Sequence, residues 1–212
     1  MYFPHKLHAV SLSTLFIAGG SASGKTWLAD ALAERVACTR LSQDRFYHDR
    51  PESADGSDRH AFDFDRPDAI DWSGMEAALR DLRSGRATRV PVYDMGTSKR
   101  AGSETLQPHG RLLVVDGTLI LHAAAMRGLW DHSVFVDAPE TLRRERRLRR
   151  DVELRQREPA DIVRQLETQV FPAHDGFVQP SAARADLVLD APSLITDPDV
   201  GIVDVLGLLG RA

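Results

Sequence analysis

Short apolar runs alternate with segments of helical periodicity along most of this 212-residue chain. Uninterrupted apolar runs predict buried strands at 14–18, 112–115, 134–136 and 187–189, and a further short strand is expected at 39–42. Because both faces of the 112–115 run must be covered, it is typical of a central strand in a parallel sheet.

Between these runs, apolar residues recur at the spacing of an α-helix. The recurrence predicts helices at 27–37, 72–82, 119–129, 139–156 and 160–170. Strands that alternate with helices indicate an α/β fold with a parallel sheet and right-handed crossovers. No internal repeat or linker is visible, so we expect residues 1–212 to form a single domain.

Two segments depart from this alternation. Residues 48–68 are polar and rich in Asp, Arg, Pro and Gly, which predicts a loop or excursion. Residues 89–93 have strand character but contain Pro91, which places them at a sheet edge or in an insertion.

The composition excludes several classes of protein. With 42% hydrophobic and 27% charged residues the chain is globular, and a net charge of −4 disfavours a dedicated nucleic-acid binder. The single cysteine, Cys38, cannot form an internal disulfide and suits a reducing compartment. No stretch approaches the roughly 20 apolar residues of a membrane span, and residues 1–13 lack the apolar core of a signal peptide. We therefore expect a cytoplasmic protein with neither a membrane nor a nucleic acid as its partner.

A glycine-rich segment follows the first predicted strand and precedes the first predicted helix. It matches the pattern G-x-x-x-x-G-K-[ST] in the context that this motif requires. Its backbone N–H groups can surround phosphate oxygens, Lys25 can reach the β- and γ-phosphates, and the Thr26 hydroxyl can bind Mg²⁺. This phosphate loop (residues 19–26) predicts binding of ATP through Gly19, Gly20, Ser21, Ala22, Ser23, Gly24, Lys25 and Thr26.

A carboxylate ends the predicted central strand. Asp116 directly follows the apolar run 112–115, at the sheet edge where open α/β sheets bind their ligands. A nucleotide site requires an acidic residue on a neighbouring strand to hold Mg²⁺ or its water, so we favour a metal-side role for Asp116 over a helix N-cap.

Residues 143–157 form an arginine-rich segment. It contains eight arginines against three acidic residues, in a protein that is acidic as a whole. Such a helix would repel itself as a solvated face, whereas its arginines can close over a polyphosphate and stabilise the transferring group. Nucleic-acid binding is the weaker alternative, since no aromatic residues are interleaved with the arginines.

Five further segments, in order after the phosphate loop, resemble elements of the uridine kinase family. They are LSQDRFY at 41–47, FDRPDAID at 64–71, PVYD at 91–94 followed by Arg100, FVD at 135–137 with the arginine-rich segment, and parts of 171–186. The resemblance runs from about Leu15 to Leu189, most of the chain. It implies a three-layer P-loop NTPase fold with a central parallel sheet, an arginine-rich helical lid and a small acceptor-binding insertion.

The resemblance also implies ATP-dependent phosphorylation of a nucleoside 5′-hydroxyl, with uridine or cytidine as acceptor and Mg²⁺ as metal. Asp44 would take the general-base position and join Thr26 and Asp116 on the metal side, with Lys25 as a further catalytic residue. Within the lid it points to four arginines without dividing them between ATP and acceptor. As a working assignment, Arg150 is catalytic, ATP is bound by Arg147 and Arg155, and the acceptor is bound by Arg157.

On the acceptor side, the resemblance places Asp65 against the ribose hydroxyls and Tyr93 and Gln165 near the nucleoside, with Arg100 nearby. For Asp44 the alternative is a turn residue at a strand end. Tyr93 as an ordinary pocket-wall residue and Gln165 as a helix-surface residue are equally supported alternatives.

Two positions depart from the family pattern. Ser98 stands where uridine kinases carry a histidine that contacts the pyrimidine base, so base selectivity is expected to be weakened or altered. Asp116 stands where the family has Glu, which keeps the carboxylate on a shorter side chain.

Fold and motifs leave other functions open. The same chemistry could act on nicotinamide riboside, pantothenate or a sugar phosphate. A nucleotide-binding regulatory protein is the alternative from another class, and it would need no acceptor pocket. The resemblance also carries the expectation of a homo-oligomer.

Overall fold

The computed structural model describes residues 12–51 and 62–210. The segment considered for a signal peptide therefore lies almost wholly outside the described residues, as does the middle of the predicted loop 48–68. Within these ranges the strands are β1 Ser13–Gly19, β2 Cys38–Ser42, β3 Thr88–Asp94, β4 Lys99–Leu106, β5 Leu112–Gly117, β6 His132–Asp137 and β7 Leu187–Asp190.

The α-helices lie on both faces of the main sheet and at its edges. They are α1 Lys25–Ala33, α2 Trp72–Arg83, α3 Glu140–Glu153, α4 Pro159–Gln165, α5 Phe171–Ala173, α6 Ala191–Thr196 and α7 Pro198–Leu209. Between α4 and β7 the chain stays helical through two wider π-helical segments, Leu166–Val170 and His174–Val178. None of the helices in the described ranges combines the length and hydropathy that crossing a membrane requires.

Five parallel strands form the main sheet, in the order β2-β5-β1-β6-β7. The apolar run predicted to be central is β5, which pairs with both β1 and β2 and is buried at every position. Alternate residues of β1 face opposite layers: Leu15 and Ile17 pack in one core, Phe16 and Ala18 in the other. The predicted three-layer α/β fold with a parallel sheet is confirmed.

The strand that contains Pro91 lies outside the main sheet. β3 pairs with β4 in a separate antiparallel hairpin, with an irregularity between Pro91 and Tyr93. The prediction of an insertion or edge strand is therefore confirmed. Its partner β4 was not predicted, because residues 99–106 have only two apolar side chains, Ala101 and Leu106, and are all half-buried or exposed.

The prediction of a helix at 119–129 is wrong. The segment is an irregular connection with one 3₁₀ turn, Ala124–Met126. Arg184 donates from Nη1 to the carbonyl oxygens of Leu121 and His122 at 2.6 and 3.0 Å. A distant guanidinium thus takes two carbonyl groups that a helix would have paired with its own N–H groups, so the apolar residues are buried without helical structure.

Candidate functional site

A large cavity opens at the carboxyl ends of the parallel strands. Its lining comes from the segments that directly follow β1, β2, β5 and β7, together with the β3–β4 hairpin and the arginine-rich helix α3. The cavity volume is about 990 Å³, at the upper end of the roughly 300–1,000 Å³ of small-molecule sites. It can therefore hold two ligands of moderate size side by side.

The phosphate loop joins β1 to α1. Gly24 precedes the helix with φ of 110°, a left-handed conformation that favours glycine. Lys25 begins the helix, and its Nζ donates to the carbonyl oxygen of Gly20 at 3.2 Å. Burial lowers the pKa of Lys25, and the nearby arginines Arg147 and Arg150 lower it further, while neighbouring carboxylates oppose the shift. The loop therefore presents a desolvated cation beside its N–H groups, the arrangement that phosphate binding requires.

A hydroxyl and a carboxylate meet beside the loop. Thr26 donates from Oγ1 to Asp116 Oδ2 at 3.1 Å, and Arg40 lies 3.6 Å from the other carboxylate oxygen. Asp116 is only 4% exposed, and burial raises its pKa. Asp44 follows β2 in a 3₁₀ turn, with its N–H 3.3 Å from Ser42 Oγ, and its charge acts on both Lys25 and Asp116. The three oxygen-bearing residues predicted for the metal side are thus brought together.

The arginine lid (residues 143–157) covers the phosphate loop. Arg147 donates to Ser21 Oγ at 2.7 Å, and Arg146 donates to the carbonyl oxygen of Ser23 at 2.9 Å. The segment therefore lies over the place where phosphates would bind.

A buried carboxylate that sequence reasoning did not assign to the site holds the lid together. Asp151 is fully buried, and a guanidinium nitrogen of each of four arginines lies 2.8 to 3.5 Å from its carboxylate: Arg147, Arg150, Arg155 and Arg157. These are the four arginines predicted as functional. Although burial acts to raise it, the pKa of Asp151 is lowered, because the surrounding guanidinium groups outweigh desolvation.

Gln165 links two of the same arginines. Its Oε1 accepts hydrogen bonds from Arg147 at 3.1 Å and from Arg157 at 2.9 Å. Gln165 lines the cavity as expected, but its carbonyl oxygen is occupied by the lid rather than directed at an open position.

The opposite end of the cavity is aromatic. Tyr47 lies 5.5 Å from the rings of both Phe64 and Tyr93, and Phe62 lies 4.7 Å from Phe64. This aromatic wall (Tyr47, Phe62, Phe64 and Tyr93) lines the cavity and suits a planar ring. Of its members, only Tyr93 was singled out from the sequence as a pocket residue.

Asp65 lies between the aromatic wall and the reacting end. Burial raises the pKa of its carboxyl to about 6, with Arg147 opposing the rise and Asp63 and Asp44 adding to it. A carboxylate in such a place can accept hydrogen bonds from vicinal hydroxyl groups of a ligand.

Ser98 and Arg100 flank the tip of the β3–β4 hairpin and have different surroundings. Ser98 adopts a positive φ of 56° and lines the cavity. Arg100 does not line it: its guanidinium donates to the carbonyl oxygen of Tyr47 and to Asp71 Oδ2, both at 3.1 Å. The structure thus places Arg100 behind the aromatic wall, where it supports Tyr47.

Fifteen of the nineteen residues predicted for the site line the cavity. The other four are Arg100, Asp116, Gly19 and Gly20. Asp116 reaches the site through Thr26, and the two glycines form the buried start of the phosphate loop.

Two buried side chains support the loop from behind. A Cβ added at Gly20 would lie 2.9 Å from both Arg143 Cδ and His174 Nδ1. Burial lowers the pKa of His174, and the adjacent Arg143 lowers it further. A larger residue at this position would therefore displace Arg143 or His174.

Comparison with known proteins gives one consistent family. A family model described as the phosphoribulokinase / uridine kinase family matches residues 15–195. A uridine kinase of Chloroflexus aggregans is 37% identical over 176 residues, which cover 81% of this chain and 83% of that protein. Uridine-cytidine kinase B of Dictyostelium discoideum is 33% identical over 177 residues, covering 82% and 72%.

Solved structures show the same fold. Phosphoribulokinase from Rhodobacter spheroides has a TM-score of 0.62 at 17% identity, covering 85% of this chain and 70% of that one. D-glycerate 3-kinase from Cryptococcus neoformans has a TM-score of 0.62 at 12% identity, covering 86% and 87%. At such identities the likeness concerns the fold alone.

Proposed function

Since the chain belongs to the phosphoribulokinase / uridine kinase family, we propose that it transfers the γ-phosphoryl group of ATP to the 5′-hydroxyl of a nucleoside. Uridine and cytidine are the acceptors that the names of its relatives suggest.

One observation carries the proposal: donor-side and acceptor-side groups line the same cavity. Lys25 and Arg150 on the phosphate side, Tyr93 in the aromatic wall, and Asp44 and Asp65 all line this one cavity. A nucleotide-binding regulatory protein would need only the groups that bind the nucleotide. The carboxylates and the aromatic wall have a use when a second, planar ligand with hydroxyl groups binds there.

The residues on the metal side suit Mg²⁺. This ion prefers oxygen ligands and is commonly held by one or two carboxylates together with substrate phosphates. The Thr26 hydroxyl and the Asp116 carboxylate are 3.1 Å apart, and Asp44 adds a second carboxylate. Thr26, Asp44 and Asp116 would hold the ion, and its positive charge would neutralise part of the charge on the phosphates.

The chain's own groups would act by positioning and charge neutralisation. The phosphate-loop N–H groups and Lys25 would hold the β- and γ-phosphates. Arg150 would stabilise the negative charge of the transferring group, while the rest of the lid excludes water. Asp44 would orient the acceptor hydroxyl and accept its proton as the new P–O bond forms.

The acceptor would lie with its ring against the aromatic wall and its sugar toward Asp44. Asp65 would accept hydrogen bonds from the ribose hydroxyls, which fixes the 5′-hydroxyl at the reacting end. Nicotinamide riboside shares this ribose, so it belongs in the test panel; pantothenate and sugar phosphates present no planar ring to the wall. Three expectations remain predictions from the sequence: a cytoplasmic location, homo-oligomerisation and the absence of nucleic-acid partners.

The test is ADP release from MgATP with and without uridine, cytidine, nicotinamide riboside and pantothenate. We expect release that depends on a nucleoside, with phosphate recovered on the 5′-hydroxyl. Asp44→Asn should lower kcat by about 10²-fold or more, because it removes the proposed base. Arg86→Gln, an exposed residue outside the cavity, serves as the control variant. ADP release that is unaffected by every acceptor would contradict the proposal.

A further inference from the structure

One part of the cavity wall is built from two segments that bond to each other. One is the stretch after Tyr47, and the other is the turn between β3 and β4. The backbone N–H of Arg50 donates to the carbonyl oxygen of Ser98 at 3.0 Å. Both residues line the cavity, together with Met95 and Gly96 from the turn. The backbone bond holds Arg50 beside Ser98, the position that the sequence resemblance aligns with the base-contacting histidine of uridine kinases.

The Arg50 side chain brings a charge to this part of the wall. Its guanidinium is half-buried, and it forms no ion pair with any carboxylate in residues 12–51 and 62–210. The neighbouring carboxylate, Asp49, accepts instead from the backbone N–H of Arg100 at 2.7 Å. Burial raises the pKa of Tyr93 to about 12; the Asp49 charge adds to that rise, and the Arg50 and Arg100 charges act against it.

The other groups in this part of the wall leave little for a ligand to bond. The Tyr93 hydroxyl donates to the carbonyl oxygen of His48 at 3.4 Å, and Met95 is apolar. Ser98 has only a short hydroxymethyl side chain. A guanidinium, in contrast, carries five N–H donors in a fixed plane and no acceptor. A ligand ring that reaches this part of the wall can therefore accept hydrogen bonds from the Arg50 guanidinium.

We propose that Arg50 determines acceptor specificity by binding a carbonyl oxygen at the distal edge of the nucleobase and by disfavouring an amino group there. The inference rests on the proposed nucleoside kinase function. It follows that uridine, with a carbonyl at C4, is a better acceptor than cytidine, with an amino group at C4. Because Ser98 is small, the pocket tolerates different ring sizes while it selects the edge group.

The two pyrimidines form a matched pair, since they share the ribose, the ring and the 5′-hydroxyl. Inosine and adenosine form a second pair that differs in the same way on a larger ring. We expect kcat/KM at saturating MgATP to favour uridine over cytidine by about tenfold or more. With uridine the guanidinium donates a charge-assisted hydrogen bond to the carbonyl oxygen, whereas with cytidine two donor groups face each other. Any turnover of the purine nucleosides should favour inosine.

Three variants separate charge, geometry and general damage. In Arg50→Gln the side chain is neutral and can both donate and accept, so the uridine-to-cytidine ratio should fall to within about threefold of one. Arg50→Lys keeps the charge without the planar fork and should give an intermediate ratio. Arg86→Gln removes an exposed arginine outside the cavity and should leave the ratio unchanged. The N–H bond to Ser98 is a backbone bond, so all Arg50 variants retain it.

The outcomes are distinguishable. Equal use of uridine and cytidine by the wild type, or a ratio that Arg50→Gln leaves unchanged, overturns the role of Arg50. An Arg50→Gln variant that loses the same factor with both nucleosides also overturns it, because that pattern marks general damage. Absence of nucleoside phosphorylation under all conditions refutes the proposed function itself.

Discussion

Burial changes the acid–base properties of individual side chains in this site. Lys25 has its pKa lowered, whereas Asp65 and Asp116 have theirs raised, and in each case desolvation is the main cause. Titratable groups with pKa values shifted by burial in a cavity are typical of catalytic and binding sites. The shifts therefore fit a site that exchanges water for charged ligands.

Asp65 gives a prediction about pH. Because its pKa is raised to about 6, the free enzyme carries this carboxylate ionised above that pH and protonated below it. The ionised form accepts hydrogen bonds from two ribose hydroxyls and the protonated form does so less well. The KM for the nucleoside should therefore rise as the pH falls from about 8 to about 5, with the main change near 6.

Initial rates at saturating MgATP measure this dependence. Asp65→Asn should show a high KM that stays constant over the same pH range. A wild-type KM that does not change with pH would refute the binding role of Asp65.

Ser98 gives a prediction about selectivity. A histidine at this position has a ring that fills space at the base edge and a nitrogen that can donate or accept. Ser98→His should therefore narrow the range of acceptors toward pyrimidine nucleosides, with changes of about 10- to 100-fold in the ratios of kcat/KM. The ratios for uridine, cytidine, inosine and nicotinamide riboside should be compared in both proteins. Unchanged ratios would show that position 98 does not contact the base.

At the scale of the element, the lid joins the greater part of α3 to the turn after it, and one buried carboxylate offsets part of its positive charge. Read as a sequence, eight arginines in residues 143–157 indicate mutual repulsion. In the structure, the fully buried carboxylate of Asp151 forms ion pairs with four of them. Gln165 from α4 accepts hydrogen bonds from two of these four. The lid is therefore preorganised before a polyphosphate arrives, which reduces the ordering cost of binding.

Asp151→Asn tests this arrangement. The substitution keeps the shape and removes the buried charge, so the arginines should repel one another and separate. We expect the free energy of unfolding to fall by about 1–3 kcal/mol and the KM for MgATP to rise several-fold. Urea unfolding and steady-state kinetics measure the two effects.

Glu153→Gln provides the matched control, because Glu153 is an exposed acid of the same helix. It should change neither quantity by much. If both variants behave alike, net charge rather than the Asp151 cluster governs the lid.

At the scale of the molecule, the cavity is assembled from segments that are distant in the chain. The phosphate loop, the turn after β2, the hairpin, the lid and the start of α6 all contribute to its lining. A ligand that bridges them stabilises the folded state and not the unfolded chain. Binding should therefore be visible in global stability.

MgATP at 100 times its Kd should stabilise the protein by about 2.7 kcal/mol. For a chain of this length that corresponds to a rise in Tm of about 5–10 °C. Lys25→Ala should lose most of the rise at the same MgATP concentration, because it removes the contact to the β- and γ-phosphates. Thermal unfolding with and without MgATP measures this, and an equal rise in the variant would contradict the role of Lys25.

Local sequence alone determined the elements that depend on neighbouring residues. The strand at 14–18, the phosphate loop after it and the buried run at 112–115 were predicted because apolar runs and glycine spacing are local signals. The same holds for α2, which begins where Asp71 accepts from the N–H of Gly74. The phosphate-loop residues 21–26 and Asp44 line the cavity because they follow strands of the parallel sheet, whose carboxyl ends meet at one edge.

Tertiary structure decided what depends on distant partners. Residues 119–129 have helical spacing, but Arg184, more than 60 positions away, takes the carbonyl groups of Leu121 and His122. Arg100 matches a substrate-binding motif, but Asp71 and the Tyr47 carbonyl hold it behind the aromatic wall. Asp151 and Arg50 carry no local signal, since their roles come from burial among arginines and from a backbone bond to Ser98. Periodicity and motifs record interactions within a few residues, whereas burial and the pairing of charges are set only when the chain folds.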